Sequence, residues 1–187
     1  MLDKGKQLLG YLTVEARGNY FRGAALVTDF RGIPTDFRYT EPVQPTKLER
    51  ILYGGALDVY LREEVILDNL LDAVETRPVL WLVNAADLML PVQKLSRLPA
   101  MLVESSNRSP LDASGLFEPT TEQCVFIFQA DNISAPLRMT VPDDSIQGVA
   151  QFVQTLSSAA EGMDLLEPFG RIDKALEAIG DSETKQK

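Results

Sequence analysis

The stretch DFRGIPTDFRYTEPVQPTKLERILYGG, residues 29–55, decides how this chain folds. It holds the end of one strand, a turn, a second strand, a proline corner and the start of a helix. Within FRGIP (30–34), Gly32 can take the positive φ of a tight turn. Residues 35–40 alternate Phe37 and Tyr39 against Arg38, the pattern of a half-buried strand. Pro42 and Pro45 have no backbone donor, so the ladder ends near Thr40. Thr46 followed by Glu49 matches a capping box, and a helix runs on through KLERILY. Gly54-Gly55 then either kinks that helix or breaks it.

Upstream, residues 9–16 and 20–29 read as strands joined by the turn RGN (17–19), which completes an antiparallel three-stranded meander. Downstream, a helix over 56–75 carries Leu57, Leu61, Val65, Leu67, Leu71 and Val74 as one stripe. VLWLV (79–83) is apolar throughout, as in a strand buried on both faces. Residues 124–130 and 137–141 pair around Asp131-Asn132. Asp143 or Asp144 caps a helix over 145–160, and a last helix over 168–179 stops at Gly180. The fold class is α+β, or mixed α/β: meander, crossover helix, further buried strands, two C-terminal helices. One domain covers 1–180, with a long irregular insertion at 87–123 and a mobile polar tail at 181–187. The first eight residues form a short helix or an unstructured lead.

Composition removes many function classes. Among 187 residues there is no histidine, which excludes Ser-His-Asp and Cys-His catalysis and histidine-bearing zinc sites. Cys124, the single cysteine, precedes VFIFQA and reads as a small buried hydrophobe. It leaves no intramolecular disulfide, which fits a reducing compartment and a cytoplasmic address. There is no GxxxxGK[ST] and no GxGxxG. The pairs in REE (62–64) and DD (143–144) read as solvated helix surface. The N-terminus lacks the apolar core of a signal peptide, and Asn84 and Asp87 interrupt the most apolar window, 78–92. Asp plus Glu number 27 against 18 Lys plus Arg, a net charge of −9. That balance argues against nucleic acid and membrane surfaces, since Arg17, Arg22, Arg31 and Arg38 are spread over two turns and two strands.

The 87–123 region carries Leu95, Leu98, Met101, Leu102, Leu116 and Phe117. These either pack on their own domain or meet a protein partner. Taken with the exclusions, the leading expectation is a non-catalytic cytoplasmic protein–protein interaction module, an adaptor or a subunit of a larger assembly. It needs no cofactor, and self-association stays open.

The order of elements also resembles the opening of a ribonuclease-H-like fold. In that arrangement the fourth strand lies parallel to the first, so their carboxyl ends meet. Glu15 ends the first strand, Asp87 follows the fourth, and Glu49 lies in the first turn of the crossover helix. The resemblance implies a Mg²⁺-dependent hydrolase of phosphodiesters with Glu15, Glu49 and Asp87 as metal ligands. Glu15 stands where that fold type places an aspartate, and its longer side chain would move the metal.

Overall fold

A computed structural model describes residues 7–143 and 145–184, except the side chains of residues 146 and 181–184. The meander forms as the alternation requires: β1 (Leu8–Arg17), β2 (Tyr20–Asp29) and β3 (Pro34–Tyr39) pair antiparallel. Gly32 takes φ 78° in the second turn. There the Asp29 carboxylate accepts from the backbone N–H groups of Arg31 and Ile33 at 2.8 and 3.0 Å. Beyond β3 the proline corner still clings to β2 through reciprocal bonds between Phe21 and Val43 of 2.7 and 2.8 Å. The capping box closes as expected: Glu49 accepts from the Thr46 N–H at 2.7 Å, and Thr46 Oγ1 accepts from the Glu49 N–H at 3.2 Å.

The crossover is α1 (Lys47–Tyr53), a 3₁₀ turn at Gly54–Ala56, α2 (Leu57–Tyr60), a π-helical segment at Leu61–Leu67 and α3 (Asp68–Ala73). Gly54-Gly55 therefore separates two helical pieces. The chain returns as β4 (Leu80–Val83), parallel to β1, and continues through α4 (Met89–Ser96) to β5 (Ala100–Ser105), parallel to β4. Strands β6 (Phe117–Pro119), β7 (Val125–Phe128) and β8 (Leu137–Thr140) complete an eight-stranded mixed sheet in the order β3-β2-β1-β4-β5-β8-β7-β6. Helices α5 (Ile146–Ala160) and α6 (Glu167–Thr184) cover one face. The crossover and α4 cover the other. The α+β expectation holds.

Three expectations are corrected. Residues 87–123 are no irregular insertion, since they hold α4 and the interior strand β5. The prolines that suggested irregularity punctuate short elements: Pro91 lies in the first turn of α4 and Pro99 just before β5. Second, α6 runs through Gly180 to Thr184, so residues 181–184 continue a helix. Third, Ser145 caps α5, its hydroxyl accepting from the Gly148 N–H at 3.3 Å. Asp144, residues 185–187 and most of the N-terminal lead lie outside the described residues.

Two cores flank the sheet. Leu9, Tyr11, Leu80 and Leu82 point to the α5–α6 side, while Leu12, Trp81 and Val83 point to the crossover side. Gly10 pairs with Trp81, whose ring lies flat across it. A Cβ at Gly10 would sit 2.3 Å from Trp81 Cε3. Gly10→Ala is therefore expected to lower stability by about 2 kcal/mol through overpacking. Urea denaturation should show a lower midpoint with an unchanged slope.

Two carboxylates pin the meander. Burial pushes Asp29 up, but hydrogen bonds from the Arg31 side chain and the N–H groups of Ile33 and Arg31 outweigh it and hold the group below the usual range. Burial likewise raises Asp36, and the Glu75 N–H, the Arg38 guanidinium and the Thr76 N–H overcome it. Because both groups are depressed on folding, their stabilisation is complete above the unfolded value near about 3.9. It is lost as pH falls through the folded values. Stability measured by denaturation should fall below pH ~4, and it should fall less steeply in Asp36→Asn.

Candidate functional site

In an open sheet, ligands gather outside the carboxyl ends of parallel strands, where neighbouring connections leave in opposite directions. Here that point lies between β1 and β4. From β1 the sheet extends to β2 and β3, and from β4 to β5 and beyond. The last paired residues are Leu12 and Val83, and the next residue on each strand is Thr13 and Asn84. Alternation turns Thr13 to the side of Tyr11. Thr13 is 1% exposed, and its Oγ1 has no hydrogen-bond partner among the described residues. Asn84 is exposed.

The carboxylates expected as metal ligands are each engaged elsewhere. Glu15 lies two residues past Thr13 and accepts from Arg22 Nε at 2.9 Å and from Arg17 at 3.2 Å. Arg22 in turn donates to the Leu176 carbonyl of α6 at 3.1 Å, so the pair clamps α6 over the meander. Glu49 is held in its capping box. The Thr46 N–H, then the Thr46 hydroxyl, keep its carboxyl below the usual range. Asp87 is paired with Arg62 of the π-helical segment. Among the described residues, no three His, Cys, Asp or Glu side chains are grouped to hold a metal ion. The residues present therefore do not fit the Mg²⁺ site that the ribonuclease-H-like order implies, because each carboxylate answers a partner of its own.

The partner-binding residues also move. Met101 and Leu102 are core residues of β5, 0% and 6% exposed. Leu95 and Leu98 pack on the crossover-side core, and Phe117 packs on the other. Leu116 is exposed. More exposed apolar residues lie elsewhere, at Leu48, Ile51 and Leu52 of α1, at Leu90 of α4 and at Ile133. Five of the six pack on the domain's own cores.

Sequence reading missed Thr13, Asn84 and the Arg22 clamp. The available signal was the apolar run on both sides of Asn84, which marks it as the first residue past a buried strand. A cleft of about 440 Å³ lies between the β7–β8 turn and the α5–α6 junction. Another, about 330 Å³, sits beside the π-helical segment and is lined by Tyr60, Glu63, Glu64, Asp68 and Lys94. Neither reaches Thr13 or Asn84. Among the described residues, no helix is long and apolar enough to cross a membrane.

No family model matches this chain, and no curated protein does. Solved structures do. Human ENDOV is similar over 95% of this chain and 86% of its own, with a TM-score of 0.56 at 16% identity. The Bacillus subtilis endonuclease V is similar over 81% of this chain and 71% of its own, with a TM-score of 0.52 at 11% identity. Ciona intestinalis endonuclease V, solved with a 24-mer DNA containing an inosine, matches at 0.47, too loosely to carry an argument. These likenesses establish the fold. They overturn the reading of a non-catalytic protein–protein interaction module, because the architecture is one that solved nucleases use. The argument against nucleic acid falls with it: net charge describes the whole surface, whereas a binding edge is local.

Arg22 and Glu15 are 10% and 12% exposed at their side chains. Arg22→Ala leaves Glu15 only the exposed Arg17 and releases the Leu176 carbonyl, with an expected loss of about 3 kcal/mol. Combining it with Glu15→Gln should recover part of that loss in a double-mutant cycle read by urea denaturation.

Proposed function

We propose that this protein acts on nucleic acid, taking a strand across the carboxyl ends of β1 and β4. The observation that carries this reading is the likeness to human ENDOV over nearly the whole chain. The switch point between β1 and β4 supports it independently. Phosphodiesters are the ligand class this reading implies, in keeping with the endonuclease neighbours. The single cysteine fits action in the cytoplasm.

The cations at this end suit a backbone contact. Arg17 belongs to the carboxyl end of β1 and is 54% exposed at its side chain. Arg50 of α1 reaches the Asn19 carbonyl at 3.4 Å, which brings α1 against the β1–β2 turn. Lys47 lies in the first turn of the same helix and is exposed. These three groups could meet two or three phosphates, enough for micromolar rather than nanomolar binding. Anisotropy of labelled DNA and RNA oligonucleotides, single-stranded and duplex, tests the reading across a salt series. Wild type should give a log–log salt slope of about −2, and Arg17→Ala and Arg50→Ala should each reduce it by roughly 1. No binding to any oligonucleotide at low salt sinks the proposal.

A further inference from the structure

We infer that the strand ends bind nucleic acid without a divalent metal and do not cut it by metal-assisted hydrolysis. The inference rests on the nucleic-acid reading above. Metal-assisted cleavage needs carboxylates that converge on one point, because a hard cation takes its ligands from several oxygens at once. At the junction of β1 and β4 the chain offers a hydroxyl and a carboxamide, Thr13 and Asn84, one step beyond Leu12 and Val83. Glu15 is the carboxylate nearest in sequence, and two arginines already answer it. Asp87, past β4, is answered by Arg62.

The neutral pair has its own chemistry. Without a cation between them, a carboxylate repels a phosphate, whereas a hydroxyl and an amide N–H donate to it. Thr13 Oγ1 is buried and has no hydrogen-bond partner among the described residues. Buried polar atoms are nearly always paired, so such a hydroxyl calls for a ligand or a water. Asn84 adds two donors at the exposed rim. Asn84 thus offers donors to an anionic strand where a cleaving site would hold metal, and Thr13 lies buried at the same strand ends.

The test uses the full chain, labelled DNA and RNA oligonucleotides, and two buffers, EDTA and millimolar Mn²⁺. Affinity should agree between the buffers within about twofold. The oligonucleotide should remain full length on a denaturing gel, and Mn²⁺ should not raise the melting temperature. Asn84→Asp should weaken binding in EDTA roughly threefold to tenfold by placing a charge beside the phosphate. Asn84→Ala should weaken it in both buffers alike. Cleavage that appears with Mn²⁺ and vanishes in EDTA, or a Mn²⁺-dependent rise in melting temperature, overturns the inference while leaving the nucleic-acid reading intact. Absence of binding in both buffers overturns both.

Discussion

The parallel pairing of β1 with β4 is the contact on which the rest depends. Leu9 to Leu12 run beside Leu80 to Val83, and all of these but Gly10 fill two separate cores by alternation. Gly10 makes the pairing close-packed, since only a bare backbone lets the Trp81 ring lie across the strand. Parallel neighbours cannot be joined by a hairpin, so a crossover of helices is obligatory between them. That connection carries α1 to the β1–β2 turn and the π-helical segment to the loop after β4. One strand pair therefore sets the direction of the sheet on both sides and the place where its carboxyl ends open.

The elements legible in the sequence were those with local causes. Gly32, the two prolines of the corner and the Thr46–Glu49 box act within a few residues, and each did what its chemistry requires. The 87–123 region failed for the opposite reason. β5 is a run of four buried residues that becomes a strand only because β4 lies beside it. The apolar stripe of the crossover shows a subtler miss. A 3.6-residue period puts Val65 inward, but Ile66 is the buried residue, five positions after Leu61. That five-step spacing is the mark of a π turn. It also rotates Arg62 to meet Asp87.

The site was legible in place but not in identity. Chain order alone put Glu15 and Asp87 near one end of the sheet. It could not show that Arg22 lies directly across the ladder from Glu15, because that pairing depends on the register of a hairpin. Nor could it single out Thr13, since threonine is an ordinary strand residue. Its missing partner becomes visible only when every neighbour is placed.

Electrostatics follows the same logic. The four meander arginines, which the sequence spreads over two turns and two strands, each meet a carboxylate two to seven residues away: Glu15, Asp29 or Asp36. Positive charge in the meander thus holds its own turns and the α6 clamp, and Arg17, 54% exposed beside Glu15, is the most accessible of the four save Arg31. Distant acidic groups matter little either, because screening cuts exposed charges off beyond about 10 Å in ordinary salt. Long-range charge neither drives a strand to β1 and β4 nor keeps it away. On the proposed reading, affinity at that edge comes from donors at short range, the Asn84 carboxamide and a few exposed cations.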